Sequence, residues 1–230
     1  MDTDRNAPAS AGTASNPGGP GFACFGKLPG AGDFITRRMP YTLQQFWDRW
    51  CASGMEALKE RNPASGWAVW GNTPKWAFLL PAQPGVPIGQ LGVLAPSCDR
   101  VGRVFPFLAT TPVLDDNVVA TVSRAGSIAL AWSQVIQEIQ FARTPIDSAD
   151  AALGDALQLE MAKPPPAAEA DVTLPPGANP LSLPWPGLAE TFDVRGGESY
   201  WWSVPPASTG FRARTHGGPL SGSHFLNLCS

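Results

Sequence analysis

The chain has 230 residues, of which 43% are hydrophobic and 15% are charged, and its formal net charge is −3. This length favours one large domain whose core needs no disulfide or metal, and the acidic balance argues against nucleic acid as the main partner, because phosphate binding needs a basic face. No stretch is long and apolar enough to cross a membrane, and the N-terminus lacks the features of a signal peptide, so we expect a cytoplasmic protein.

Two segments have a composition that disfavours packed structure. Residues 1–20 are rich in Ala, Ser, Pro and Gly without an apolar period, which predicts a disordered tail before a single domain over residues 21–230. Residues 163–188 contain eight prolines and are predicted to form an extended loop within that domain.

The first half of the domain contains one long helical pattern among short apolar runs. Tyr41–Glu60 carries apolar residues at helical spacing and is predicted as a helix. Pro106 lies inside one of the apolar runs and predicts an edge position or a bulge there. A strand is predicted at Phe22–Phe25, before the helix, and three further strands separated by Pro/Gly turns are predicted after it, at Lys75–Leu80, Leu91–Leu94 and Val104–Thr110.

The second half begins with helical patterns at Asn117–Arg143, which Gly126 could divide, and at Asp147–Met161. Returning strands are predicted at Tyr200–Val204, Phe211–Arg214 and His224–Leu228. The order of elements predicts an α/β fold: a single domain with a mixed sheet and helices packed on it in a sandwich-like arrangement.

The strongest enzyme-like pattern is Gly21–Lys27, which has the Gly-x-x-x-x-Gly-Lys spacing of a phosphate-binding loop. Such a loop next needs Ser or Thr for Mg²⁺ and a helix whose amides hold the phosphates. Here Leu28 follows, and Pro29 keeps it out of the helical region. The chain also has no Gly-x-Ser-x-Gly elbow, and its cysteines and histidines complete no zinc pattern. We therefore predict no catalytic residue, metal or cofactor, with a nucleotide hydrolase as the enzyme alternative.

Charge is concentrated in two segments, residues 26–38 and residues 96–106, whose Gly and Pro residues predict loops. Their acids could pair with arginines and hold the two loops together, or the arginines could contact a carboxylate or phosphate of a partner. Both interpretations remain open. Our hypothesis is that the working surface, or its support, consists of Lys27, Asp33, Arg37, Arg38, Asp99, Arg100 and Arg103.

Three strings of this sequence resemble the signature of the TagF family of type VI secretion-associated proteins. They are FGKLPGAGDFITRR (25–38), LQQFWDRW (43–50) and PSCDRVGRVFPF (96–107), and Tyr200-Trp201-Trp202 is similar to the late aromatic motif of that family. The resemblance implies an α/β sandwich and no established catalytic residue.

The same resemblance implies a bacterial, cytosolic, non-enzymatic repressor of the type VI secretion system that acts after the parts of the system are made. The implied partner is an Fha scaffold, which carries a forkhead-associated domain, or a nearby secretion component. A structural or assembly subunit of the secretion machine is a further alternative.

Overall fold

The computed structural model describes residues 21–164, 183–204 and 210–230, and its strands form one seven-stranded sheet. The strand order is β2-β1-β5-β4-β3-β6-β7, and all six pairings are antiparallel. The strands are β1 Ala23–Gly26, β2 Ile35–Arg37, β3 Lys75–Leu80, β4 Gly89–Ala95, β5 Phe107–Val113, β6 Glu198–Val204 and β7 Ala213–Gly217.

The central strands are buried on both faces of the sheet. Successive side chains of a strand point to opposite sides, so each strand contributes to the core on both sides. In β3, Trp76 and Phe78 belong to one hydrophobic cluster, whereas Ala77 and Leu79 belong to the other. A sheet covered on both sides needs apolar residues at consecutive positions. This explains the uninterrupted apolar runs that predicted the strands.

Helices cover both faces of the sheet. One face packs against α1, α2 and α7, which contribute Trp47, Trp70 and Phe225 to its cluster. The other face packs against α3 to α6, with Trp132 of α4 and Leu153 of α5 at the centre. The helices are α1 Tyr41–Arg61, α2 Gly66–Gly71, α3 Val118–Val122, α4 Ala125–Ala142, α5 Ile146–Ala162, α6 Leu188–Thr191 and α7 Gly222–Leu228.

The α/β class and the single sheet with helices packed on it are confirmed. The predicted sheet is mixed, but all six pairings of the observed sheet are antiparallel. The strand predicted at His224–Leu228 is wrong, because this segment lies within α7. The Ser221 side chain accepts a hydrogen bond from the backbone N–H of His224, as an N-terminal cap does. His224, Phe225 and Leu228 are buried at the spacing of one helical turn.

Two smaller predictions differ from the structure. The edge position or bulge at Pro106 is wrong, because β5 begins one residue later, at Phe107, and lies in the interior of the sheet. The helical pattern over 117–143 divides at Ser123 and Arg124, just before Gly126.

Residues 1–20 and residues 165–182 of the proline-rich segment lie outside the described residues. Among the described helices, none combines the length and apolar character that crossing a membrane requires.

Candidate functional site

The two charged segments meet at one end of the sheet, because β1 and β5 are neighbouring strands. We call residues 27–34 the β1–β2 loop and residues 96–106 the β4–β5 loop. The backbone N–H of Arg100 donates to the carbonyl oxygen of Ala31 at 2.7 Å. The Nη2 atom of Arg103 donates to the carbonyl oxygen of Gly32 at 2.6 Å. These contacts hold the two loops side by side.

Asp99 is the buried centre of this arrangement. Its Oδ1 accepts hydrogen bonds from the backbone N–H groups of Val101 and Arg103, at 3.1 and 2.9 Å. Its Oδ2 lies 2.6 Å from Nε of Arg103 and 3.2 Å from Nζ of Lys27. Burial alone would raise the pKa of Asp99, but the hydrogen bonds from Arg103 and Lys27 outweigh burial and hold the pKa well below its usual range. Asp99 therefore stays ionised and ties the two loops together.

Lys27 is buried in the same arrangement and does not face solvent. Its Nζ lies 4.9 Å from the centroid of the Phe34 ring, in addition to its ion pair with Asp99. The preceding residues form β1, which is hydrogen-bonded to β2 on one edge and to β5 on the other. The α-helix that follows, α1, begins only at Tyr41. A phosphate-binding loop needs a free lysine and an adjoining helix N-terminus, so this geometry weighs against the nucleotide alternative.

Arg37 and Arg38 connect the edge strand β2 to helix α5. Arg37 Nη2 lies 3.0 Å from Oδ1 of Asp147. Arg38 contacts both oxygens of Asp150, at 2.8 and 2.5 Å, and donates from Nε to the carbonyl oxygen of Phe22. The hydrogen bond to Asp150 raises the pKa of Arg38 further above its usual value. Both arginines thus have intramolecular partners, which supports a structural role for them.

Asp33 and Arg100 are the members of the predicted set that stay exposed without a side-chain ion pair among the described residues. Asp33 accepts a hydrogen bond from the backbone N–H of Phe34, and Arg100 lies over Gly32. Next to them, the side chains of Phe34 and Val101 are 46% and 70% exposed. The outer surface of the two loops is therefore charged and apolar at the same time.

The sequence analysis missed Asp147 and Asp150 as parts of this region, and it did not name Phe34 and Val101 although both lie within the two charged segments. A helix that begins near Asp147 carries two acids three residues apart on one side, and this spacing was the available signal for partners of an arginine pair. Within the described ranges, no group of three or more His, Cys, Asp or Glu side chains is placed to hold a metal ion.

A separate cavity of about 360 Å³ lies between α1, the turn at Pro84 and Gly85, and the start of α7. Arg49 and Trp50 are among the residues that line it, and none of its lining residues belongs to the two loops. The cavity is thus independent of the charged region.

Comparisons with known proteins bear on the family and the fold of the chain. The family model described as the TagF N-terminal domain, type VI secretion system-associated, matches residues 23–157, a span that contains both loops. A search of curated proteins gives no match. Among solved structures, the chain is similar to the crystal structure of PA0076 from Pseudomonas aeruginosa PAO1, with 22% identity and a TM-score of 0.65. The match covers 91% of this chain and 94% of that chain, and it supports the fold.

Proposed function

Because the chain belongs to the TagF family of type VI secretion-associated proteins, we propose that it represses type VI secretion in the bacterial cytoplasm by binding another protein. The proposed partner is an Fha-type scaffold or a nearby secretion component. The proposed action is non-enzymatic: while this chain is bound to the partner, the partner does not take its next step in assembly. An affinity in the micromolar range, about −8 kcal/mol, is enough for such a switch when the two proteins are present at matched concentrations.

The observation that carries this proposal is the rigid, exposed surface of the two loops. Asp99 fixes the loops from inside, and Arg100 lies exposed over Gly32 without an ion pair to any described residue. Loops that are fixed before binding lose little conformational entropy when a partner arrives. Exposed arginine and aromatic side chains are the types that contribute most to protein interfaces. Binding therefore accounts for this surface without any catalytic group.

The test is secretion of the type VI tube protein from a strain that lacks the gene and from a strain that overproduces the protein. We expect secretion to rise on deletion and to fall on overproduction. If deletion abolishes secretion, the protein is an assembly factor or a structural subunit, and the repressor proposal fails. A structural subunit would also purify in fixed proportion with the assembled machine, whereas a repressor would be found with its soluble partner.

The nucleotide alternative has its own test. A nucleotide bound at a hundredfold excess over its dissociation constant stabilises a protein by about 2.7 kcal/mol. We expect ATP with Mg²⁺ to leave the melting temperature unchanged, since Lys27 is already paired with Asp99. A clear rise in melting temperature that disappears in Lys27→Met would favour the hydrolase instead.

A further inference from the structure

The C-terminal end of α4 packs against the two loops and adds exposed residues to them. A side chain at Gly30 would collide with the carbonyl oxygens of Thr144 and Arg143, so the β1–β2 loop touches the end of α4 directly. The side chain of Gln140 donates from Nε2 to the carbonyl oxygen of Pro96, which joins the same end of α4 to the β4–β5 loop. The end of α4 and the two loops are therefore parts of one region.

Two residues at this end of α4, Phe141 and Arg143, have exposed side chains, although the backbone of Arg143 caps the helix through its N–H bond to Ile139. Phe141 is 93% exposed, the largest exposed fraction among the large hydrophobic residues of the described chain. Arg143 is exposed and makes no hydrogen bond or ion pair through its side chain to another described residue. Arg143 also has φ of 50°, a left-handed conformation that is uncommon outside glycine and asparagine. Exposed aromatic and arginine side chains are typical of an interaction surface.

Resting on the proposed function, we propose that this region is a docking surface for an acidic segment of a protein partner that also inserts an apolar side chain. The docking surface consists of Phe34, Arg100, Val101, Arg103, Phe141 and Arg143.

The charge of the docking surface favours a partner that carries negative charge. Lys27 and Asp99 are buried and paired with each other, so the exposed charges of the loops and the end of α4 are the cations Arg100, Arg103 and Arg143 and the acid Asp33. This cationic excess stands out in a chain whose formal net charge is −3. Glu138, which is exposed one turn before Phe141, reduces this local excess without reversing it. A carboxylate-bearing segment would find unpaired guanidinium groups here, and Arg binds carboxylates with two parallel hydrogen bonds.

The apolar part of the docking surface is held in place before any partner arrives. The ring of Phe34 packs edge-on against Phe105, with centroids 4.8 Å apart, and stacks on Phe25 at 5.8 Å. Val101 sits beside Arg100 in a loop that Asp99 pins through the backbone N–H of Val101. An apolar partner side chain would therefore meet fixed neighbours.

A second copy of this chain fits this surface less well than an acidic partner. A two-fold contact brings the same patch of both copies together, so the arginines of one copy would lie against the arginine-bearing patch of the other. Like charges across an interface cost free energy. We therefore commit to a partner of opposite charge and treat self-association as an outcome that overturns the proposal.

The experiment is photo-crosslinking in cells that assemble the secretion system. The photo-reactive residue p-benzoylphenylalanine is incorporated in place of Phe34, Val101 or Phe141, and mass spectrometry identifies the crosslinked peptide. Matched controls carry it in place of Trp67 on α2 or Leu159 on α5, which are 45% and 62% exposed. We expect the three docking positions to capture one partner through an acidic peptide and the two controls to capture none of it.

The proposal is overturned if the control positions capture the same partner equally, if the captured peptide is neutral or basic, or if it belongs to this chain. A second measurement uses the captured partner and the purified chain. Arg100→Glu combined with Arg143→Asn, which keeps the left-handed conformation accessible, should weaken binding on the order of tenfold and reduce its salt dependence. Arg49→Glu, at an exposed arginine of α1 without an ion pair among the described residues, should leave the affinity unchanged.

These outcomes separate the docking surface from the proposed function. If the unaltered chain represses secretion while the paired substitution leaves affinity unchanged, the docking surface is refuted and the proposed function stands. If the unaltered chain has no effect on secretion but the crosslinks fall as expected, the repressor proposal fails and the docking surface stands.

Discussion

Gly30 lies where the β1–β2 loop meets the end of α4, and the structure leaves no room there for a side chain. A methyl group at this position would lie 2.1 Å from the carbonyl oxygen of Thr144 and 2.8 Å from that of Arg143. Ordinary contacts begin at 3.4 Å, so the backbone must shift by about 1.3 Å (3.4 minus 2.1). Overpacking of this kind costs about 1–3 kcal/mol, and we expect Gly30→Ala to lose that much unfolding free energy.

Gly71 provides the matched control. It ends helix α2, has nothing within 4 Å of its would-be methyl group, and has no positive φ. Gly71→Ala should stabilise the protein by about 0.5–1 kcal/mol, because glycine loses more backbone entropy on folding.

The assay is urea denaturation followed by tryptophan fluorescence, with melting temperature as a second readout that moves by about 2–4 °C per kcal/mol for a chain of this size. If Gly30→Ala is as stable as the unaltered chain, the loop does not press on α4 as described, and the continuity of the docking surface loses its main support. If Gly71→Ala is destabilised as much as Gly30→Ala, the loss does not come from the contact with α4.

Burial, with His216 nearby, lowers the pKa of His224 to about 3. As pH falls, the imidazole of His224 is protonated in the unfolded chain at about pH 6.5, before it is protonated in the folded chain. The free energy of unfolding that neutral His224 contributes is therefore fully present above about pH 6.5 and falls as pH decreases towards 3. His224→Phe should show a smaller loss of melting temperature between about pH 7 and pH 5, and an equal loss would contradict this. Burial raises the pKa of the Cys24 thiol to about 12, so an alkylating reagent at neutral pH should modify Cys24 only after unfolding; mass spectrometry of the labelled native protein checks this. Arg38→Ala and Asp150→Ala should destabilise non-additively, with a coupling of about 0.2–1 kcal/mol in a denaturation cycle, because each removes the same ion pair. Additive losses would mean that the pair contributes nothing.

The parts of the fold that the sequence predicts well are those with a strong local pattern. Helix α1 begins at Tyr41 as predicted, because Pro40 precedes a long run of apolar residues at helical spacing. Strand β3 matches its predicted bounds, since six residues of continuous strand character lie between turn residues. Helix α7 has no such pattern. Phe225 packs so closely on Gly54 of α1 that a methyl group there would lie 2.2 Å from the ring, and this tertiary contact is invisible to local periodicity.

The candidate site divides in the same way. The sequence reveals that charge is concentrated in two loops, since this needs only composition and spacing. It does not reveal that Arg37 and Arg38 pair with acids 110 and 112 residues away on α5, because the antiparallel order of the sheet decides which helix lies beside β2. Nor does it assign the exposed Phe141 to the loops, since the contact of Gly30 with the end of α4 is equally non-local.

Two charged residues of the β4–β5 loop, Asp99 and Arg100, have different physical roles that one pair of substitutions can separate. Asp99 is buried and accepts hydrogen bonds from Lys27 and from Arg103, so Asp99→Asn leaves these cations without their acid and should lower both stability and partner binding. Arg100 has an exposed side chain without an ion pair among the described residues, so Arg100→Ala should weaken binding while unfolding free energy stays unchanged. Urea denaturation and titration of the partner with both variants measure the two effects. A loss of stability in Arg100→Ala equal to that in Asp99→Asn would mean that Arg100 also holds the loops. The assignment of a structural role to Asp99 and a binding role to Arg100 would then be refuted.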